Sequence, residues 1–442
     1  MDIFLLYFFI IIIWSTFFYL YRYSSNKDKS APIDDIGVFW TATLALYTTL
    51  PVFSWILQGY TYISPLNPRL VEYQPSIHDV NYLLLITVSY SVGFLIFFSF
   101  FRRKITKLEI GSFKQINSRT ISVALGILLF TKLVLFSSVL LFGIQSAESY
   151  IDQYRVIQQA PLLIRQILKY LLAVQSLAII IILISIFQNW KKSKIYFFIF
   201  LLFTLFSFDP EGGRASIATT ILAILFLWHV LIKKISSRVW ISLSIIGLIL
   251  FLGFGLLRGV QNLSDYNLIG EDNPGVGEFD AIWSNAVHLN AEMKKGNINI
   301  PFTVRLGEFW GFVPSQILPF NKSSLSIWYL DTYYSEYKEQ GGGWAFGALS
   351  QAVIGFGPIE GFVRGGILGA LYGFFMFWYR KSKHLWWSLP FYLTIYLFSF
   401  MSIRDTTFQQ LSTVIQNILP GLFIIYLFNL FLKGNQKGVV EK

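Results

Sequence analysis

No cysteine occurs anywhere in the 442 residues. That excludes disulfides, thiolate nucleophiles, iron–sulfur clusters and cysteine-ligated zinc. Histidine is nearly absent too. His78, His229, His288 and His384 are the only four, and none stands at metal-ligand spacing from another. The sequence therefore predicts no metal and no cofactor. It has no P-loop and no GxGxxG opening a helix, which leaves no nucleotide site. Charge is scarce as well: 13% of residues are Asp, Glu, Lys or Arg, against about 25% in a soluble domain.

Apolar side chains take their place. Hydrophobic residues make up 55% of the chain, Phe alone contributes 44, and the mean hydropathy is +0.57. One water-soluble core cannot hide that surface, so the lipid bilayer is the expected solvent. A crossing helix needs about 20 mostly apolar residues. Eleven such segments are predicted, at roughly 3–21, 36–58, 81–101, 120–142, 163–188, 195–208, 215–232, 239–257, 362–379, 385–402 and 408–431. The sixth is short. The first lacks the basic leading region and small-residue cleavage site of a signal peptide, so it reads as a span. The expected fold is all-α: a polytopic integral membrane helical bundle.

Orientation follows from the basic residues. The connectors after segments 1, 3, 5, 7 and 9, with the C-terminal tail, hold 21 of the 35 Lys and Arg but only five of the 24 acids. Basic connectors stay in the cytoplasm, so the N-terminus is expected outside and the C-terminus inside. Topology accounts for the net charge of +11, and nucleic acid is not an expected partner. The chain divides into an eight-helix N-terminal bundle (1–257), a large outer loop (258–361), and three C-terminal helices with a cytoplasmic tail (362–442). Within the loop, PFTVRLGEFWGFVPSQILPF (301–320) and GGGWAFGALSQAVIGFG (341–357) read as short helices on the membrane surface or re-entrant turns. Non-helical backbone at that depth needs protein or a wet cavity around it. No internal repeat is visible, which weighs against a repeat-built transporter.

Charges in or beside membrane segments cost about 2.5–3.5 kcal/mol each at a helix centre, so those present invite a reason. On the outer side stand Arg214 after DPEGG, Arg258 closing segment 8, Arg305, Arg364 opening segment 9, and Arg404-Asp405 between the last two segments. Arginine binds phosphate oxygens in pairs, and the Gly-Gly-Arg214 turn offers backbone N–H groups at a helix start. Together they suggest an anion site made of Arg214, Arg258 and Arg404, with Arg305 nearby. Arg364, Arg165 and Lys169 read equally well as anchors snorkelling to the headgroups. Asp209, Glu211, Asp265, Glu308, Asp331, Glu360 and Asp405 are the acids that could serve as a base. Asp405 leads because Arg404 would keep it ionised; Glu308 and His288 follow. A plain salt bridge holding the turn is the competing reading of Asp405.

The order of GGRASI (212–217), GLLRG (255–259), VRLGEFWGFVPSQILP (304–319) and the Arg404-Asp405 turn resembles the Wzy-type polymerases of O-antigen and enterobacterial common antigen repeat units. The pattern covers roughly residues 150–430, and the N-terminal third matches only as hydrophobic spans. The resemblance implies a glycosyltransferase of the bacterial inner membrane, with a periplasmic outer loop. Its substrates would be undecaprenyl pyrophosphate-linked oligosaccharides and its product lipopolysaccharide-type polymer, with a chain-length regulator protein as a partner. Arginines would stabilise the leaving pyrophosphate without a metal, and a carboxylate or histidine would activate the acceptor hydroxyl. Two other readings remain: an O-antigen ligase using the same donor, and a polysaccharide flippase or ion-coupled transporter. Transporters place ionisable groups near the midplane, whereas here only Lys132 lies well inside a segment.

Overall fold

The structure is a computed structural model. It describes residues 2–25, 31–60, 74–105, 113–141, 162–191, 214–247, 278–311, 323–335, 345–408 and, apart from Thr413, 411–440, with a few isolated residues between. Every regular element among them is helical. The elements used below are α1 (Asp2–Ser25), α2 (Ile36–Leu57), α3 (Ile77–Ile105), α4 (Ser118–Leu141), α5 (Leu162–Gln188), α6 (Arg214–Leu227), α7 (Glu278–Lys295), α8 (Leu325–Tyr333), α9 (Ala348–Val353), α10 (Pro358–Lys381), α11 (Ser388–Phe398) and α12 (Leu419–Val440). Of these, α1, α2, α3 and α10 are long and apolar enough to cross a membrane, and shorter apolar helices accompany them. The chain is thus a helical bundle of membrane-protein type. Much of the predicted segments 6 and 8 lies outside the described residues.

Helix starts follow local chemistry. Asp35 caps α2, its carboxylate accepting from the N–H groups of Gly37 and Val38, which satisfies donors left over by the first turn. Pro358 sits at the first position of α10, where its missing N–H costs nothing, directly after Gly357 at φ +59°. The 301–320 stretch contains two four-residue helices, Phe302–Arg305 and Gly307–Trp310. Within the 341–357 stretch, Ala348–Val353 form α9.

The tightest pairing joins α3 to α10. Glycines at 361, 365, 369 and 373 recur every fourth residue and face α3. A Cβ on Gly365 would stand 2.2 Å from the Tyr90 carbonyl oxygen, and one on Gly369 2.4 Å from that of Phe94. Only backbone without a side chain approaches that closely, the small-residue packing favoured between helices in lipid. Contacts advance together from Ile86 with Gly361 to Phe101 with Gly373, so the two helices run parallel.

α10 also sets the scale. From Glu360 to Arg380 it rises roughly 30 Å, close to the hydrocarbon thickness of a bilayer. Charge gathers at both ends. At the Arg380 end, Arg380 pairs with Asp34, and Arg102 pairs with Asp35 at 2.6 Å while also reaching Ser24. Burial alone would raise the Asp34 carboxyl, but Arg380, with His229 and Lys383, outweighs it and holds the pKa low. Burial pushes Lys383 in the next turn down to about 8. Between the ends the described core is aromatic. Trp40 stacks on Phe94 at 4.1 Å, Phe94 on Phe98 at 5.3 Å, and the Trp40 indole N–H and the Tyr372 hydroxyl both reach Ser402.

Candidate functional site

The other end of α10 carries a second polar network. Glu360 lies in its first turn, where the helix dipole favours an acid. Arg364 follows four residues later on the same face. The Arg364 guanidinium donates to Glu360 at 2.7 Å and to Glu308 at 2.5 Å. Glu308 comes from the Gly307–Trp310 turn and its side chain is fully buried. Its second oxygen accepts the Phe408 N–H at 3.1 Å, so both oxygens are committed. Glu360 accepts the Phe356 N–H at 2.9 Å and meets Arg305 at 3.3 Å. The result is a chain, Arg305–Glu360–Arg364–Glu308, of two cations and two anions. Its loosest link is Arg305, the most exposed member at 32%, whose guanidinium also lies over the Phe356 ring.

Asp405 follows the short helix Met401–Arg404 and is half-buried. The sequence suggests that Arg404 keeps this carboxyl ionised. Its pKa is nonetheless raised: burial pushes it up, the Thr406 N–H and Arg404 oppose the rise, and the neighbouring Glu308 charge adds to it. Desolvation outweighs a cation that is itself only half-buried.

Neutral groups complete this end. The Gln351 side-chain oxygen, from α9, accepts from the Thr407 N–H at 3.0 Å and the Thr407 hydroxyl at 2.9 Å. Tyr90 in α3 meets the same hydroxyl at 2.9 Å. Gln416 donates to the Gly311 carbonyl at 2.6 Å. The Gln351 amide nitrogen and the hydroxyls of Ser350 and Ser412 are buried and have no hydrogen-bond partner among the described residues. Beside Thr407 lies a narrow apolar slot lined by Leu368, Leu371, Tyr372 and Phe375 of α10 and by Leu411 and Val414.

The predicted site residues are therefore distributed as follows. Glu308 and Arg305 join one network, and Asp405 and Arg404 border it. His288 belongs elsewhere: it is buried in α7, its Nδ1 lies 2.8 Å from the Tyr329 hydroxyl, and the Tyr333 ring stands against it at 4.8 Å. Arg258 lies outside the described residues, and for Arg214 only its place at the start of α6 is described. A convergence of Arg214, Arg258 and Arg404 accordingly falls outside what the structure describes, while the arginines seen together, Arg305 and Arg364, are each paired with an acid. Arg364, read as a possible anchor, is the hub. The i,i+4 spacing of Glu360 and Arg364 was the signal that could have found it. The neutral network through Gln351, Thr407 and Tyr90 left no comparable trace in the sequence. Among the described residues, no group of three or more His, Asp and Glu side chains is arranged to hold a metal ion. No family model, curated protein or solved structure matches the chain.

Proposed function

We propose that the protein polymerises oligosaccharide repeat units carried on undecaprenyl pyrophosphate, at the periplasmic face of a bacterial inner membrane. The observation carrying this reading is the Arg305–Glu360–Arg364–Glu308 network at one end of the bundle, beside an apolar slot. An amphipathic donor with a charged head and an isoprenoid tail needs that combination at a membrane surface. The parallel run of α3 and α10 supports the topology behind it. An outside N-terminus and eleven spans make segments 3 and 9 run in the same direction, as these two helices do. The basic ends of both, Arg102 and Arg380, then share the cytoplasmic side.

In this reading the acceptor hydroxyl attacks the anomeric carbon of the donor. The new glycosidic bond forms as the bond to pyrophosphate breaks, and undecaprenyl pyrophosphate leaves. Asp405 takes the proton. Its raised pKa suits it to the task, because a base works best when its pKa approaches the operating pH. Glu308 has no free oxygen and acts as a positioning residue for Arg364. Arg305, the most exposed and most loosely held member, swings from Glu360 onto the leaving phosphate, and Arg404 sits at the turn of Asp405. Purified protein in nanodiscs, given lipid-pyrophosphate-linked repeat units, should produce a polymer ladder. A single transfer to a lipid A core acceptor, with no ladder, would replace this reading with the ligase.

A further inference from the structure

Three successive backbone N–H groups follow Asp405, and each donates to a side-chain oxygen. Thr406 donates to the Asp405 carboxyl itself. Thr407 donates to the Gln351 oxygen at 3.0 Å, and Phe408 to Glu308 at 3.1 Å. The Met401–Arg404 helix ends at Asp405, whose φ of −106° and ψ of −145° carry the chain out of helical geometry. The helical ladder stops there, and the next donors turn to side chains instead. Gln351 and Glu308 both stand in the predicted outer loop, in α9 and in the Gly307–Trp310 turn. Gln351 grips twice, because the same oxygen also accepts the Thr407 hydroxyl at 2.9 Å. Tyr90 of α3 meets that hydroxyl at 2.9 Å. Arg364 backs the other grip, bonding Glu308 at 2.5 Å and lying over the Phe408 ring.

Peptide units are planar, so holding the Thr407 N–H fixes one of the two planes that meet at Thr406. The other plane carries the N–H that orients the Asp405 carboxyl. Gln351 is 2% exposed, and its amide nitrogen has no hydrogen-bond partner among the described residues. An unmet buried donor costs free energy that an apolar side chain would avoid, so it is the oxygen that this position uses. Resting on the polymerase reading and its base, we infer that Gln351 is a positioning residue for Asp405, fixing the turn so that the carboxyl meets the acceptor hydroxyl. The charges bearing on Asp405 are Arg404 and Glu308, the latter paired with Arg364. α9 carries no charged residue, so Gln351 acts through geometry rather than through the field. Because α9 belongs to the predicted outer loop, the base is in place only while that loop is packed on the bundle.

The test uses the full-length protein in nanodiscs as wild type, Gln351→Met, Thr407→Val and Thr407→Ser. Gln351→Met keeps the bulk and removes the acceptor oxygen. Two quantities are measured for each. One is the polymerisation rate against the concentration of lipid-linked repeat units. The other is the pH titration of the Asp405 carboxyl, followed by infrared difference against Asp405→Asn. Gln351→Met should lower kcat about tenfold or more with KM unchanged, because the carboxyl is misplaced while donor binding is untouched. Its Asp405 titration should move from the raised value toward the ordinary aspartate range, since a loosened turn admits water. If Gln351→Met does not fold, the Thr407 pair decides. Valine loses the hydroxyl bonds and should show both effects in weaker form, and serine should show neither. A merely structural role would lower the melting temperature and leave both kcat per folded molecule and the titration where they were. A wild-type ladder with either kcat or the Asp405 titration unchanged in Gln351→Met overturns the positioning role and leaves the polymerase reading standing. A wild type that builds no ladder removes the polymerase reading, and the positioning role with it.

Discussion

Arg364 gives the sharpest test of how the site is held. Its guanidinium bonds Glu308 and Glu360, whose side chains are 0% and 11% exposed, and is itself 9% exposed. Arg364→Met keeps most of the volume and removes both bonds. Glu360 retains Arg305 and the Phe356 N–H; Glu308 retains only the Phe408 N–H. Removing one member of a buried pair costs about 3–5 kcal/mol, because the other charge is left without compensation. That is roughly two to four powers of ten in the unfolding equilibrium. The variant should therefore melt well below wild type in nanodiscs and accumulate poorly. Adding Glu308→Gln removes the stranded charge and should recover at least half of the loss, although neither single change is stabilising. Melting temperatures of the four proteins close a double-mutant cycle. An unchanged melting temperature for Arg364→Met, or losses from the two changes that simply add, would refute the network as described.

Other predictions follow from the same geometry. Gly365→Ala should cost about 1–3 kcal/mol or more through overpacking against the Tyr90 backbone; Gly126→Ala, which meets nothing within 4 Å, should be neutral or stabilising, and thermal melts compare them. Folded Lys383 loses its proton near pH 8, against 10.5 for an ordinary lysine. The unfolded chain thus binds more protons between those values, and stability should rise with pH across that window. Lys383→Met should abolish the rise and gain at most about 3 kcal/mol at pH 7, read from melts at several pH values. Asp405 has a raised pKa, so its folded form holds a proton to higher pH and stability falls as pH climbs above the ordinary aspartate range. Asp405→Asn should therefore be more stable than wild type at pH 7 while losing about 10²–10⁴-fold in polymerisation; full activity would sink the base assignment. Ladder formation should survive EDTA, and loss restored by a divalent ion would reveal a carboxylate metal site.

Composition and apolar runs were enough to read a helical membrane bundle, because lipid forces backbone polar groups to be satisfied within each helix. They located α1, α2, α3 and α10 to within a few residues, apart from the ends of α3 and α10 that continue into polar sequence. The glycines that dictate the parallel seam were also in plain view, at every fourth position from 361 to 373. What they pack against was not, since a small-residue stripe does not name its partner. The site was legible in proportion to how local its bonds are. Glu360 and Arg364 are four residues apart, and helical spacing alone puts them in contact. Glu308 meets Arg364 across 56 residues and the Phe408 N–H across 100, and nothing in the chain's local pattern announces either bond. The same reasoning explains the upward pKa shift at Asp405. A neighbouring arginine is visible in sequence, whereas the burial that overrides it belongs to the packed turn. Desolvation depends on everything that surrounds a carboxyl, so a one-dimensional reading recovers the charges near a site more readily than the dielectric that decides their state.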